Sequence, residues 1–217
     1  GVYTTDPRIV PNARKLDEIT YDEMLELASQ GAQVLHNRSV ELAKKFRVNL
    51  EVVSSLERKP GTKVKEVTKV EKTNIAGVAK DTSIARVALI GLQHNPGVAF
   101  QVFDLLSKHN INVDVILQSI GREDSKDISF TVDKNDLDDA MAVLESNQAR
   151  IGYDELHAEK NIAKLSIVGA GMMSNPGVAA KMFESLYNEG VNINMIATSE
   201  IRVTVLINEK DLSLIQI

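Results

Sequence analysis

The 217-residue chain is 43% hydrophobic and 25% charged with a formal net charge of −5, a composition typical of a globular protein with one large domain or two modest ones. It contains no cysteine, which excludes a disulfide framework and thiolate chemistry, and its negative charge argues against a nucleic-acid partner, which needs a concentrated basic surface. No apolar run is long enough to cross a bilayer, and because no signal-peptide pattern follows Gly1, we expect the chain to begin inside a longer protein or after processing.

The segment 1–66 predicts a turn-rich start, two helices and a strand. Pro7 keeps Asp6 out of helical geometry. Thr20 or Asp22 can begin the first helix, which Gly31 would end. A second helical pattern and then an apolar run, which predicts a buried strand, follow over residues 39–46 and 48–53.

Residues 57–72 hold six basic and three acidic side chains around Pro60 and Gly61. We expect a solvated linker there and not a nucleic-acid patch, because no aromatic side chains are interleaved to stack on bases. Residues 73–79 then have the pattern of a strand.

The pentapeptide Asn-Pro-Gly-Val-Ala occurs at residues 95–99 and again at 175–179. Aligning residues 95–119 with 175–199 gives ten identities in twenty-five positions without a gap. The second half of the chain therefore contains a duplicated supersecondary unit.

Each copy is predicted to contain a strand, a helix and a second strand. The first strands are expected over residues 86–91 and 164–169. Asn95 and Asn175 can cap the helices, with a proline at the first helical position, where a missing N–H costs nothing. Apolar residues then recur along one face of each helix.

The strand after each helix is predicted to have two unlike faces, because strand side chains alternate. In the first copy, Leu117 is expected beneath the helix, whereas Asn112, Asp114 and Gln118 are expected on the other face. The helix N–H groups favour a carboxylate and Asp114 can accept an ammonium, which together fit an α-amino acid zwitterion. The alternative is a solvated sheet face behind an ordinary capped helix.

The first copy continues with a strand, a helix and a weaker strand over residues 127–132, 136–146 and 153–158. The order βαββαβ is the ferredoxin-like arrangement. The second copy has a strand, a helix and two strands, and its fourth strand is absent downstream of Asp211.

These blocks resemble a known family. NPGVA followed by INVDVILQS, and GAGMMSNPGVAAKMF followed by VNINMIATSEIRVTVLI, are similar to the tandem ACT domains of aspartate kinases, and residues 1–46 resemble the end of that family's amino-acid-kinase domain. The resemblance implies an α+β fold of tandem ferredoxin-like (βαββαβ) ACT domains preceded by a partial α/β kinase-domain remnant. The implied boundaries are 1–66 for the remnant and linker, 84–160 for the first ACT domain, and 67–83 plus 161–217 for the second, with the segment near 73–79 completing the second sheet.

The resemblance also implies a function in feedback regulation. Aspartate kinases phosphorylate the side-chain carboxylate of aspartate with ATP to give 4-phospho-L-aspartate, and their ACT pair binds end-product amino acids, lysine or threonine or both. The implied effector pocket is built from the first copy's helix start and strand, is closed by the second copy and is flanked by Ser199 and Glu200. Its implied residues are His94, Gly97, Val98, Ala99, Asn112, Asp114, Gln118, Asn192, Ile193, Ser199 and Glu200. The implied nucleotide-binding remnant is Tyr3, Asp6 and Arg8, for which a plain surface turn is the alternative.

We expect the chain alone to be catalytically silent. It has no match to the family's Lys-Phe-Gly-Gly-type motif and no P-loop, and phosphoryl transfer needs several elements at once. No catalytic residue and no cofactor is therefore assigned to this chain, and ATP and magnesium belong to the parent enzyme. The four histidines lack metal-ligand spacing, so no metal site is assigned either.

The resemblance further implies a cytoplasmic protein that forms a homodimer through its ACT domains and works with the kinase domain of its parent, without a nucleic-acid or membrane partner. The strands at 86–92 and 163–169 are expected to have exposed backbone edges that a second chain would cover. Two other classes are less consistent with the residues. A stand-alone ACT regulator would have no use for the kinase-like segment 1–66, and a ferredoxin-like RNA-binding module would need more aromatics on its open sheet face than Phe130.

Overall fold

The computed structural model describes residues 1–56, 59–67, 75–93, 95–120 and 125–215. The chain forms two compact units, one made of residues 1–81 with 164–217 and the other of residues 82–163. The helices are α1 (Tyr21–Ser29), α2 (Asn37–Phe46), α3 (Val98–Lys108), α4 (Leu137–Ser146), α5 (Gln148–Ile151) and α6 (Val178–Asn188), with 3-10 segments at Ala170–Ser174 and Glu209–Leu214. The strands are β1 (Glu18–Thr20), β2 (Leu50–Val52), β3 (Thr62–Lys65), β4 (Gly77–Asp81), β5 (Ile84–Gln93), β6 (Ile116–Ile120), β7 (Ser125–Asp133), β8 (Glu155–Glu159), β9 (Ile162–Val168), β10 (Met195–Ser199) and β11 (Arg202–Asn208).

The amino-terminal region contains a three-stranded sheet of order β1-β3-β2, in which β3 is parallel to β1 and antiparallel to β2. The linker predicted over residues 57–72 is wrong where β3 lies, because Thr62 and Val64 are fully buried at the centre of this sheet. The buried strand predicted over residues 48–53 is also wrong in part. Only Leu50–Val52 is a strand, and it lies at the sheet edge with Val48 and Val53 more than half exposed.

Helix α1 begins as the sequence predicts. The Thr20 hydroxyl accepts from the Glu23 N–H, and the Glu23 carboxylate accepts from the Thr20 N–H, which is a complete capping box. Met24 and Leu27 are buried in a core that also contains Val168 of β9. The α1 helix is therefore packed against β9 as well as against its own region.

The two repeats have the same sheet order. The first sheet runs β6-β7-β5-β8, and the second runs β10-β11-β9-β4. In both, the first strand of the repeat lies between the third strand and an outer fourth strand. The fourth position of the second sheet is occupied by β4, which precedes the first repeat in the chain and pairs antiparallel with β9. The tandem ferredoxin-like α+β prediction is confirmed.

The core of the first repeat lies between its sheet and its helices. Phe130 is fully buried and meets Phe103 edge-on, with 5.5 Å between ring centroids. Leu106 and Leu144 bring α3 and α4 into the same cluster. The apolar stripe predicted from the helical spacing is thus the face that packs against the sheet.

The edge strands differ from those predicted. Residues 86–92 and 163–169 belong to β5 and β9, and each of these strands has a neighbour on both sides. The outer strands of the first sheet are β6 and β8. The prediction was wrong because the fourth strands, β8 and β4, pair with β5 and β9 and leave these two strands inside their sheets.

Leu117 also differs from its predicted place in the first repeat. It was expected beneath the helix but is 42% exposed, because the alternation of buried and exposed residues ends at the start of β6.

In the described residues, no helix is long and apolar enough to span a membrane.

Candidate functional site

The two helix starts are built alike, but not as the sequence predicts. Gly97 and Gly177, with φ of 94° and 95°, precede the first residues of α3 and α6, and neither helix has a side-chain cap. Asn95 donates through Nδ2 to Gln93 Oε1, and Asn175 donates to the Gly171 carbonyl. The capping role predicted for the two asparagines is therefore wrong, because a left-handed glycine makes the entry into the helix.

A bare helix start has a chemical consequence. The first-turn N–H groups of an α-helix have no acceptor within the helix, and the helix dipole adds partial positive charge there. A glycine without a side chain leaves these groups approachable: a Cβ at Gly97 or Gly177 would have nothing within 4 Å. Val98 and Ala99, and their counterparts Val178 and Ala179, are half-buried beside them.

In the first copy, the polar residues expected beside the helix start are on the exposed face. Asn112, Asp114 and Gln118 are exposed, whereas Ile111 and Val115 in the same segment are buried. The Asp114 backbone N–H donates to the Thr131 carbonyl at 3.1 Å, which fixes this segment against β7. His94 lies outside the described residues.

The second copy has an open groove of about 440 Å³ at its helix start. One wall is residues 175–179, the other is Ser199 and Glu200 with Val203, and Met172 of the 3-10 segment contributes to the lining. Ser199 ends β10 and Glu200 follows in the exposed turn to β11. The groove therefore combines helix N–H groups, a hydroxyl and a carboxylate with an apolar lining.

The remaining predicted effector residues lie just before β10. Asn192 is exposed and Ile193 is half-buried. Ser199 and Glu200, predicted to flank a pocket around the first copy's helix start, lie beside the helix start of their own copy. Met172 and Val203 were missed, because their place in the groove depends on how the 3-10 segment and the turn before β11 fold back.

The predicted nucleotide remnant forms a compact turn. The Arg8 guanidinium donates to both oxygens of Asp6, with Nη2 at 2.7 Å from Oδ2 and Nε at 3.0 Å from Oδ1, and the Arg8 N–H donates to Oδ1. The Arg8 hydrogen bonds lower the pKa of Asp6 to about 2. Tyr3 forms an antiparallel bridge with Lys15. The positive charge of Arg8 is thus engaged by Asp6 in this structure.

Among the described residues, no group of three His, Cys, Asp or Glu side chains could hold a metal ion. At the second helix start, N–H donors line one side of the groove and the Glu200 carboxylate lies on the other, so these groups can bind a ligand through hydrogen bonds and charge.

Comparisons with known proteins agree with the fold. A family model for the ACT domain matches residues 87–148 and 165–214, and one for the amino acid kinase family matches residues 1–54. An aspartokinase from Bacillus sp. (strain MGA3) is 47% identical over 213 residues, which are 98% of this chain and 52% of that protein. An aspartokinase from Pseudomonas aeruginosa is 46% identical over 217 residues, which are 99% of this chain and 53% of that protein.

Solved structures give the same result. The regulatory subunit of aspartate kinase from Thermus thermophilus, in its ligand-free form, is 40% identical with a TM-score of 0.61, covering 65% of this chain and 95% of that one. E. coli aspartokinase III in complex with lysine and aspartate is 28% identical with a TM-score of 0.79, covering 100% of this chain and 48% of that one.

Sheet order, duplicated helix starts and family match together make the two repeats ACT domains. The chain belongs to the aspartate kinase family, with the ACT domains preceded by a segment of the amino acid kinase family. It spans about half the length of the curated relatives it matches.

Proposed function

We propose that this chain is the regulatory part of an aspartate kinase and that its ACT domains bind an end-product amino acid, lysine or threonine or both, for feedback inhibition. The observation that carries the proposal is the groove of the second ACT domain. Its helix start offers N–H donors to an α-carboxylate, and Glu200 offers a partner for an ammonium. The similar E. coli aspartokinase III is a complex with lysine and aspartate, which supports an amino-acid ligand.

The first ACT domain has a related set of groups. Gly97 to Ala99 form a helix start of the same geometry, and Asn112, Asp114 and Gln118 form the exposed polar face of the following segment. We assign this set the amino-acid contacts that the family resemblance implies, with Asp114 as the acceptor for a cationic amine. Asn192 is the counterpart of Asn112 in the second domain, and Asn192 and Ile193 are assigned supporting contacts to the effector.

The parent enzyme transfers phosphate from ATP to aspartate in this proposal, with ATP and magnesium bound by the kinase domain. The kinase-family segment 1–54 supports this assignment over a stand-alone regulator. The 217-residue chain itself is proposed to be a binding module. Incubated with ATP, magnesium and aspartate, it should form no aspartyl phosphate above a buffer blank.

A thermal-shift screen of the twenty amino acids tests the regulatory proposal. A ligand that binds only the folded chain raises its melting temperature in proportion to the logarithm of ligand concentration over dissociation constant. We expect lysine or threonine to stabilise the chain more than the other amino acids. No stabilisation by either one at millimolar concentration would contradict the proposal.

Two matched variants test whether the amino acid that stabilises the chain binds in the groove. Glu200→Gln removes the carboxylate charge of the groove, whereas Glu189→Gln removes an exposed charge at the far end of α6. We expect the first variant to bind the effector about tenfold more weakly or worse, because a hydrogen bond to a charged group contributes about 1.5–3 kcal/mol. The second should bind like the unmodified chain.

A further inference from the structure

One face of α1, continued by the residue that follows the helix, presents three polar side chains that all bond to the second ACT domain. Glu23 Oε1 accepts from the Ala170 N–H at 3.0 Å, and Glu26 Oε1 accepts from Arg202 Nη1. The Ser166 hydroxyl donates to the side-chain oxygen Oε1 of Gln30 at 3.0 Å, and Gln30 directly follows the helix. Spacings of three and four residues place them on the same helical face.

Two of these contacts reach the two walls of the groove. Ala170 opens the 3-10 segment Ala170–Ser174, which contains the groove residue Met172 and leads directly into the Asn-Pro-Gly turn at 175–177. Arg202 opens β11, between Glu200 and Val203 of the opposite wall. Two carboxylates one turn apart on one helix therefore hold both sides of the same groove.

Stability alone is a poor explanation for this polar face. Gln30 and Ser166 are at most 1% exposed, and Glu23 is 8% exposed. Burying such groups costs free energy that their hydrogen bonds only offset, and apolar residues of similar volume often pack at least as well. Polar contacts are directional, however, so they tie the position of each wall to that of the helix.

The same helix lies beside β4, and β4 is hydrogen-bonded to the segment at the start of the chain. Leu27 Cδ2 of α1 lies 3.1 Å from where a Cβ on Gly77 would be, at the start of β4. The next residue, Val78, donates its N–H to the Thr4 carbonyl at 2.7 Å. Thr4 lies within the turn formed by residues 3–8. A displacement of α1 against the second ACT sheet would therefore reach the segment assigned to the nucleotide site.

We infer that α1 is a relay: through Glu23 and Glu26 it couples the two walls of the second ACT groove to the amino-terminal turn at residues 3–8. The inference rests on the proposed function, because an amino acid in the groove supplies the signal. Allosteric coupling requires that occupation of one site change the free energy of the other through an element that both contact. Helix α1 bonds to both groove walls directly and reaches the turn through β4, where Leu27 lies beside Gly77 and Val78 bonds to Thr4.

The first test of the relay measures hydrogen exchange in the 217-residue chain without a ligand. Arg202→Gln removes the charge that Glu26 holds, and we expect faster exchange in α1 and at the Val78 amide. Arg86→Gln is the matched control: Arg86 pairs with Glu159 in the first ACT domain at 2.6 Å, and its side chain is 23% exposed against 19% for Arg202. The control should leave α1 and Val78 unchanged.

Rescue distinguishes the charge contact from a folding defect. Arg202→Lys keeps the charge beside Glu26 and should return the exchange of α1 and Val78 toward that of the unmodified chain. Unchanged exchange at both places in Arg202→Gln, with faster exchange confined to the turn and β11, would overturn the relay.

A second arm adds lysine or threonine. In the unmodified chain, the ligand should slow hydrogen exchange at residues 175–179 and also in α1 and at Val78. In Glu26→Gln, the ligand should still slow exchange in the groove but no longer at Val78. Protection of the groove alone in the unmodified chain would overturn the relay and leave the proposed function standing. No protection anywhere would instead contradict amino-acid binding, and the ligand-free arm then decides the relay.

Discussion

The backbone N–H of Val78 donates a hydrogen bond to the carbonyl oxygen of Thr4 at 2.7 Å. Val78 lies in β4, the outer strand of the second ACT sheet, so its backbone groups on the side away from β9 can bond outside the sheet. Thr4 is held from the other side, because its hydroxyl accepts from the Arg14 N–H at 3.1 Å. The kinase-family segment is thus bonded directly to an ACT sheet edge.

The turn after α1 should tolerate no side chain at Gly31. Its φ is 105°, and a Cβ there would lie 2.4 Å from the Lys80 carbonyl oxygen in β4. We expect Gly31→Ala to lower the free energy of unfolding by at least about 2 kcal/mol, since the left-handed conformation alone costs an alanine about 1–2 kcal/mol and the contact adds to it. Urea denaturation measures the change.

Gly190 provides the control for this prediction. It follows α6 in the same compact unit with φ of 68°, and a Cβ there would have nothing within 4 Å. Gly190→Ala should therefore cost only about 1–2 kcal/mol, the backbone contribution. Equal losses in the two variants would show that the approach to Lys80 is unimportant.

The Asp6–Arg8 pair should persist to low pH. The pKa of Asp6 is lowered from its ordinary 3.8 to about 2 by the Arg8 hydrogen bonds. A lowered pKa means that the contribution of the pair to stability is present above pH 3.8 and is lost as the pH falls toward 2. Because the Arg8 side chain is 87% exposed, we expect the effect on global stability to be small.

An NMR titration of the Asp6 side-chain carboxyl carbon measures this directly. The midpoint should lie near pH 2 in the unmodified chain. In Arg8→Gln the lost hydrogen bonds should let the pKa rise toward its ordinary value. An ordinary midpoint in both proteins would mean that the pair does not form in solution.

Much of the fold could be predicted because the same sequence pattern occurs twice in the chain, once in each repeat. Apolar alternation and helical spacing that recur at a constant offset identify the strands and helices of both ACT domains. Strand β3 could not be found this way. Lys63 and Lys65 alternate with the buried Thr62 and Val64, so the segment has the composition of a linker and the burial of a strand.

The candidate site was less predictable for a different reason. Glycines at 97 and 177 take the place expected for asparagine caps, which depends on a backbone conformation that the spacing does not encode. Met172 meets Glu200 and Val203 only because the 3-10 segment and the β10–β11 turn fold toward one helix start. Contacts between distant segments have no local signal.

Asp114 should decide recognition of a cationic amine in the first ACT domain. Asp114→Asn keeps the shape of the side chain and removes its charge, so we expect calorimetry to show effector binding weakened by about tenfold or more. Asp139→Asn, an exposed carboxylate on α4, is the control. Unchanged affinity in the Asp114 variant, together with a normal melting curve, would remove Asp114 from the site.

The outer strand β6 should mediate self-association. Ile116 and Leu117 on this strand are 51% and 42% exposed, and β6 pairs with β7 alone within the described part of the first sheet. An outer strand with exposed apolar side chains is a template for pairing with another chain, and a second copy would cover both the backbone groups and the apolar surface. We therefore expect a homodimer.

Light scattering at tens of micromolar should give about twice the chain mass of 23.8 kDa. Ile116→Lys places a charge on the outer strand and should shift the mass toward that of the monomer. Phe46→Lys changes a side chain on α2 that is 66% exposed and should leave the dimer intact. The mass of a single chain for the unmodified protein would contradict the dimer, whereas dissociation caused only by the α2 substitution would move the interface away from β6.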